Sequence, residues 1–479
     1  MRRLLALFVL SGLAAACGNT ADPALRHAAN RAQLGAGSTG TQVGPGGPGG
    51  GSGGVTSPGT TGISAPSTTG TQGGTTGTNG TSGTTGQPSH AATPPPGGNG
   101  GATDVGVTPD AITVGNVSDL GGPVPGLFQG AVIGTQAYFA MVNSNGGVYG
   151  RQLKVAVGDG QLDCTANKAA TTSLASKVFA MVGSFSLYDD CGEPALAAKH
   201  VPDVHDALGT ASSAYVNNFS VAPMGPGWRS GPLKHYAATY GPKWQKIGAI
   251  YANVGASPTI WAHVKKAIAS TGGKVVSEYG YGPSDTDFTA VVIRMERDGV
   301  QMIYSTAVDG AYGARFVNAA RSQHVSWPLV FGGGLYDQTF LKQTGDNANG
   351  VINDQQYAMF FNPDEATRIP SVKAFQTWTA RVAGADVIRD LYAVYGWTEA
   401  ELFVQALKAA GPRATRTSLL AALRAIKRFD GSGLIAAADP ADKTPAGCWI
   451  LTQVVKGSFT RIDSPPAAFR SDCSYYSGS

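Results

Sequence analysis

The chain has 479 residues, 67 of them glycine, and its 35 Lys and Arg stand against 31 Asp and Glu, a formal net charge of +4. A balance this close to neutral, with no basic stripe, argues against a nucleic-acid partner. Beyond the first residues no stretch is long and apolar enough to cross a bilayer as a helix, which excludes a polytopic membrane protein.

Arg2 and Arg3 precede the apolar run Leu4 to Leu10, and the small residues Ala14, Ala15 and Ala16 lead to Cys17. A basic end, a short apolar core and a small-residue cleavage site make a secretory signal peptide. The segment resembles a bacterial lipobox, with Leu13 one place further out than usual, and this implies that Cys17 becomes the lipidated first residue. The expected location is extracytoplasmic, with a lipid on Cys17 holding the protein to the outer face of the bacterial cell membrane. From Gly35 to Ala102 there is no Asp, Glu, Lys or Arg, and no Phe, Tyr or Trp occurs between Cys17 and Leu127. Residues 18–104 therefore cannot bury enough apolar surface to offset chain entropy and are expected to be a disordered tether. A Gly-rich coil of this length has a mean span of about 50 Å.

After the tether the pattern becomes strand, then helix, repeated. Ile112–Val117 reads as a buried strand, Gly130–Asn145 as a helix stopped by Gly146 and Gly147, and Leu153–Val157 as a strand. Asn167–Ser176 is the next helix, Phe179–Val182 a strand, Glu193–His200 a helix and Pro202–His205 a strand. Asp189 and Asp190 read as a solvated loop. A second series follows: helix Leu233–Tyr240, strand Ile247–Tyr251, helix Thr259–Ser270, strand Lys274–Ser277, helix Phe288–Arg297, strand Gln301–Ser305, helix Ala311–Ser322 and strand Leu329–Phe331. Helices Val372–Val382, Trp397–Ala410 and Thr417–Ile426 come next, and Trp449–Val455 with Phe459–Ile462 reads as a hairpin. Two such series predict an α/β protein of two doubly wound parallel-sheet lobes, with the ligand crevice at the carboxyl ends of the strands. The expected division is 105–225 for the first lobe, with return segments near 355–395, then 226–354 for the second. The part from 396 to 479 completes both lobes.

Besides Cys17 there are four cysteines, which in an oxidising compartment argue for two disulfides with three possible pairings. The expected pairs, Cys164–Cys191 and Cys448–Cys473, each close a loop of about 25 residues. No nucleophile elbow, zinc-protease helix or phosphate-binding loop follows Asp104, and Gly225–Gly231 is glycine-rich with the wrong spacing. His200, Asp203, His205 and Asp206 are the densest set of metal-ligand types. They surround a strand whose alternate residues face opposite sides, so no metal site is expected. No cofactor is expected either, and the chain is read as a binding protein rather than an enzyme.

The opening Val107–Gly115 resembles that of the branched-chain amino-acid (Leu/Ile/Val) type of periplasmic binding protein. So do Ala137–Arg151, Phe179–Ser184, Lys199–Pro202 and Asp287–Val292. The likeness runs over 105–465 and implies a type I periplasmic binding fold, two lobes joined by a hinge and closing over a small solute. It further implies the receptor of an ABC importer, partnered by a membrane permease. A bridge matching Cys164–Cys191 occurs in members of the family. By resemblance, Ser184 and Ser186 lie in the loop that holds a ligand carboxylate, and Gly209 and Thr210 match the family's small-residue and threonine segment. N-capping explains the same residues. Phe128 stands where relatives present an aromatic wall, and Asn253, Asp309 and Tyr336 fall at strand ends of the second lobe. Relatives that bind amino acids carry an acid after the strand Leu329–Phe331; this chain has Gly332-Gly333-Gly334 there, with Asp309 or Asp119 as possible substitutes. The expected function is capture of a small polar organic solute, amino-acid-like, amide or carboxylate, by a monomer. A ligand-sensing receptor with a membrane signalling partner is the alternative, and an extracytoplasmic enzyme a more distant one.

Overall fold

Strand β1 (Ala111–Ser118) is almost continuously buried on both faces, its polar Asn116 and Ser118 included, as the centre of a parallel sheet requires. The structure, a computed structural model, describes residues 97–479 except 226, 388, 464–468, 470, 471 and 479. The signal segment, Cys17 and the tether up to residue 96 lie outside the described residues. In chain order, α1 (Gln129–Ser144), β2 (Gln152–Asp159), α2 (Cys164–Ala175), β3 (Met181–Val182), α3 (Asp189–Ala198), β4 (Asp203–Val204) and α4 (Thr210–Ala214) follow. The four strands form a parallel sheet in the order β2-β1-β3-β4.

A short strand β5 (Trp228–Arg229) opens the second series of α5 (Gly231–Tyr240), β6 (Ile247–Ala252), α6 (Ser257–Ser270), β7 (Val275–Tyr281) and α7 (Thr289–Arg297). Then come β8 (Met302–Thr306), α8 (Gly310–Ser322), β9 (Leu329–Gly332), α9 (Gln338–Thr344) and β10 (Ile352–Gln355). Helices α10 (Pro363–Arg368), α11 (Pro370–Ala383), α12 (Leu391–Ala410) and α13 (Arg416–Arg424) precede β11 (Ile450–Val455), β12 (Ser458–Arg461) and β13 (Tyr475–Tyr476). The second sheet runs β12-β11-β10-β9-β8-β6-β7; β11 is antiparallel to both of its neighbours, β10 and β12, and the rest is parallel. The α/β architecture with two parallel sheets is the one expected. The disulfides are Cys164–Cys191 and Cys448–Cys473, with Cα separations of 5.5 and 4.0 Å.

Helix α12 returns to pack along α1, and the two backbones nearly touch. A Cβ on Gly396 would lie 2.0 Å from the carbonyl oxygen of Ala131, and one on Gly134 would lie 2.1 Å from that of Ala393. At this crossing glycine is required by contact, not by torsion.

Four expectations are corrected. Helix α12 begins at Leu391 rather than Trp397, because the Asp390 side chain caps it by accepting from Ala393 N at 2.8 Å. Strand β10 was absent from the reading because Ile-Asn-Asp-Gln looks polar, yet Asn353, Asp354 and Gln355 are buried. Asp189 and Asp190 open α3 instead of forming a solvated loop, and the buried Asp189 carboxylate accepts from Leu208 N at 2.6 Å and Gly209 N at 3.0 Å. The end of the tether is also held. Arg151, 1 % exposed, gives Nη2 to the carbonyls of Asn99 and Gly101, each at 2.6 Å, Nη1 to Pro412 and Nε to Thr108. A buried guanidinium needs acceptors on every side, and glycine-rich backbone supplies them here before residue 104.

Candidate ligand-binding cleft

The carboxyl ends of strands from both sheets face one cavity of about 1340 Å³, counting its open mouth. The segment after β1 contributes Leu127 and Phe128, that after β3 Phe185 and Leu187, and that after β4 Leu208. From the other sheet come Val254 after β6, Tyr281 at the end of β7, Val308 and Asp309 after β8, and Gly332–Gly334 at the end of β9. Tyr392 and Tyr395, on the first turns of α12, close one wall. Phe128 packs edge-on against Phe185 and Tyr392 with ring centroids 4.8 and 4.6 Å apart, and Tyr281 stacks on Tyr312 at 4.5 Å. The wall is largely apolar and aromatic, the usual make-up of a small-molecule site.

Of the residues expected to bind, the structure brings Phe128 and Asp309 to this cavity. The Asp309 carboxylate caps α8 by accepting from Ala311 N at 2.8 Å and Tyr312 N at 3.2 Å, and burial pushes it up to about 6. Asp119 is wholly buried behind the wall, where it accepts from Leu162 N, Leu187 N and the Ser186 hydroxyl at 3.0–3.1 Å. The Ser186 hydroxyl is therefore committed, as is that of Ser184, which accepts from Val117 N at 3.0 Å. Both serines line a separate, smaller cavity within the first sheet's layer. Gly209 N is held by Asp189, and Thr210 is exposed at the start of α4. Asn253 is exposed beside Val254, and Tyr336 is buried with its hydroxyl accepting from Phe361 N at 3.0 Å.

The sequence reading missed Arg229, Trp228, Tyr281, Tyr392 and Tyr395 on the cavity wall. Arg229 donates to Asp354 Oδ1 from Nη2 at 2.8 Å and Nε at 3.1 Å, and its guanidinium lies over the Trp228 ring at 4.7 Å. A Trp-Arg pair after a glycine-rich turn was the available signal. Its buried partner lies on β10, which looked too polar to be a strand.

The expected cluster of metal-ligand types divides. His200 is exposed and Asp206 faces the cleft, while Glu193, Asp203 and His205 lie buried with potential ligand atoms within 4.8 Å of one another. His205 Nδ1 is 2.7 Å from Asp203 Oδ2. Burial pulls the imidazole down, but Asp203 and Asp189 outweigh it and hold His205 well above its ordinary value. Burial and the neighbouring Asp203 push Glu193 up to about 10. Asp203 and Asp189 thus favour the charged imidazole, and Glu193 is held in its neutral form beside them.

Burial pushes Asp206 up to about 7, against the Ser220 hydroxyl that donates to it at 2.9 Å. Its unfolded value is near 4, so between about pH 4 and 7 the native chain binds more protons and stability declines as pH rises. Asp206→Asn keeps an acceptor for Ser220 and removes this slope. We expect the variant to gain about 4 kcal/mol over the parent at pH 8 and to match it near pH 4, read from thermal melts at both values. Parallel profiles for the two proteins would show that Asp206 carries no such cost.

Residues 111–458 match the family model described as periplasmic binding protein. The chain belongs to this family. No curated protein matches it by sequence. Among solved structures it is similar to a fatty acid ABC transporter substrate-binding protein from Thermomonospora curvata, with 20 % identity over 78 % of this chain and 95 % of that one and a TM-score of 0.63. It is also similar to a solute-binding protein of an ABC transporter from R. palustris in complex with 4-hydroxybenzoate, at 21 % identity, 74 % and 96 % coverage and a TM-score of 0.61. A possible leucine/isoleucine/valine-binding protein from Rhodopirellula baltica SH 1 shows 15 % identity, 74 % and 96 % coverage and a TM-score of 0.63. The family comprises substrate-binding proteins and not enzymes, and this binding protein is an extracytoplasmic receptor for a small solute.

Proposed function

We propose that this binding protein is the receptor of an ABC importer and that its solute has an apolar body, aromatic or aliphatic, rather than the small polar one expected from the sequence. The observation that carries the reading is the cavity wall. Leu127, Phe128, Phe185, Leu187, Leu208 and Val254 would leave a polar body without hydrogen-bond partners, which costs more than leaving it in water. The structural relatives with fatty acid or 4-hydroxybenzoate in their descriptions agree with a wall of this kind. In this reading the halves at 105–225 and 226–354 close on the solute, which stabilises the closed form by its higher affinity for it. The monomeric receptor then presents that form to a permease. A lipid on Cys17 and the long tether raise its local concentration there without fixing its orientation.

A thermal-shift screen of the purified mature protein tests the reading. Six- to twelve-carbon aromatic and aliphatic acids, amides and alcohols are set against small polar amino acids and sugars. An apolar-bodied solute at a hundred times its Kd should add about 2.7 kcal/mol of stability. Stabilisation by the polar set alone would overturn the proposal. Deleting the gene should abolish uptake of the solute identified.

A further inference from the structure

We infer that the solute carries a carboxylate and that Arg229 receives it through a gap kept open by Gly332 and Gly333. The inference rests on the cavity being the solute site and adds the chemistry of the solute's polar end.

Arg229 is the one cationic side chain among the described residues that line the cavity. It is 6 % exposed, and its plane is fixed by Asp354 from behind and by Gln356, whose Oε1 accepts from Nη1 at 3.3 Å. Nη2 gives its hydrogens to Asp354, to Oδ1 at 2.8 Å and to the carbonyl oxygen at 3.5 Å, and Nη1 gives one to Gln356, so the rigid five-donor fork keeps one Nη1 hydrogen for a second acceptor. Backbone without side chains stands before it. A Cβ on Gly332 would come within 3.3 Å of Nη2 and one on Gly333 within 3.9 Å, and Gly333 has φ +91°, which disfavours any other residue. Beside the pair, the buried Trp228 Nε1 and Tyr304 Oη influence one another but stop short of hydrogen-bond geometry, with each other or with any other group.

The two acids on the wall are each engaged through one oxygen: Asp309 Oδ1 caps α8, and Asp206 Oδ1 accepts from Ser220. A carboxylate buried in so apolar a cavity needs a charged donor, and Arg229 is placed to bridge Asp354 and the solute. Whether the body is an aryl ring or an alkyl chain is left to the experiment.

The experiment is calorimetric titration of the mature protein with two series: benzoate, benzamide and benzyl alcohol; octanoate, octanamide and octanol. In the series whose body fits, the acid should bind about 10- to 100-fold more tightly than its amide and alcohol, the scale of a lost charge-assisted hydrogen bond. Arg229→Gln should remove that preference, but it leaves Asp354 buried without its partner. Gly332→Ala therefore provides the second variant, since it covers the guanidinium without unpairing Asp354. It should weaken the acid about tenfold or more and leave the amide and alcohol unchanged. Equal binding of acid, amide and alcohol overturns the carboxylate, and an acid preference that survives Gly332→Ala overturns its receipt by Arg229; both results leave the apolar-solute reading in place. Absence of binding by both series, with polar solutes binding instead, overturns both.

Discussion

Gly396→Val should destabilise the protein by about 3 kcal/mol or more, the upper range for overpacking a contact that cannot relax by a rotamer change. The added Cβ would meet the Ala131 carbonyl oxygen at 2.0 Å, and neither group can turn away, because both belong to helix backbones. The clash is reciprocal, with Gly134 against Ala393, and Thr135 Oγ1 donates to the Gly396 carbonyl at 3.2 Å across the same contact. Separating α1 from α12 therefore loses packing, while Thr135 Oγ1 keeps the Ala131 carbonyl oxygen of its own helix, 2.9 Å away, as acceptor. The packing at stake includes Tyr138 edge-on to Trp397, with centroids 5.0 Å apart. Urea unfolding of Gly396→Val and Gly134→Ala, singly and together, measures the effect. The pair should be non-additive, because either substitution alone already forces the helices apart. Gly282, with nothing within 4 Å of a Cβ and no positive φ, is the control, and Gly282→Ala should stay within about 0.5 kcal/mol of the parent. A loss below about 1 kcal/mol at Gly396 would mean that the crossing is adjustable.

Removing either disulfide by paired Cys→Ala substitution should cost about 3 kcal/mol through the freed unfolded chain, but the two bridges should differ in what else they change. Cys164–Cys191 joins the first residue of α2 to the first turn of α3. Its loss should appear mainly in the denaturation midpoint. Cys448–Cys473 ties the approach to β11 to the segment that enters β13, and β13 pairs Tyr475 with Arg229 and Tyr476 with Trp228. Its loss should lower solute affinity as well, because the strand bearing the cavity's cation loses its clamp. Chemical denaturation and titration of both double variants separate the cases. Equal affinities in the two would show that β13 holds its place without the bridge.

How much was legible in the sequence follows from what each residue must satisfy. The repeated strand and helix pattern shows in buried apolar runs such as Ile112–Val117, whose partners are local. The cleft's place at the strand ends follows from topology, and Phe128 from the chain order of the first loop. Ser184 and Ser186 look like ligand donors because serine before a helix suits either role; only the positions of Asp119 and Val117 N show that their hydroxyls are engaged internally. Arg229 could not be recognised without Asp354, and Asp354 could not be placed inside the protein without knowing that a buried guanidinium awaited it. The two make sense only together, and they are far apart in sequence. Tyr392 and Tyr395 were lost for a local reason, the capping role of Asp390.

The pairing of β5 with β13 sets a timetable for biogenesis. Ser230 and Ser474, which sit side by side at this junction, are 244 positions apart. A chain made amino end first leaves Trp228 and Arg229 without their strand partner until residues 475 and 476 exist, so the wall around Arg229 is completed among the last parts of the fold.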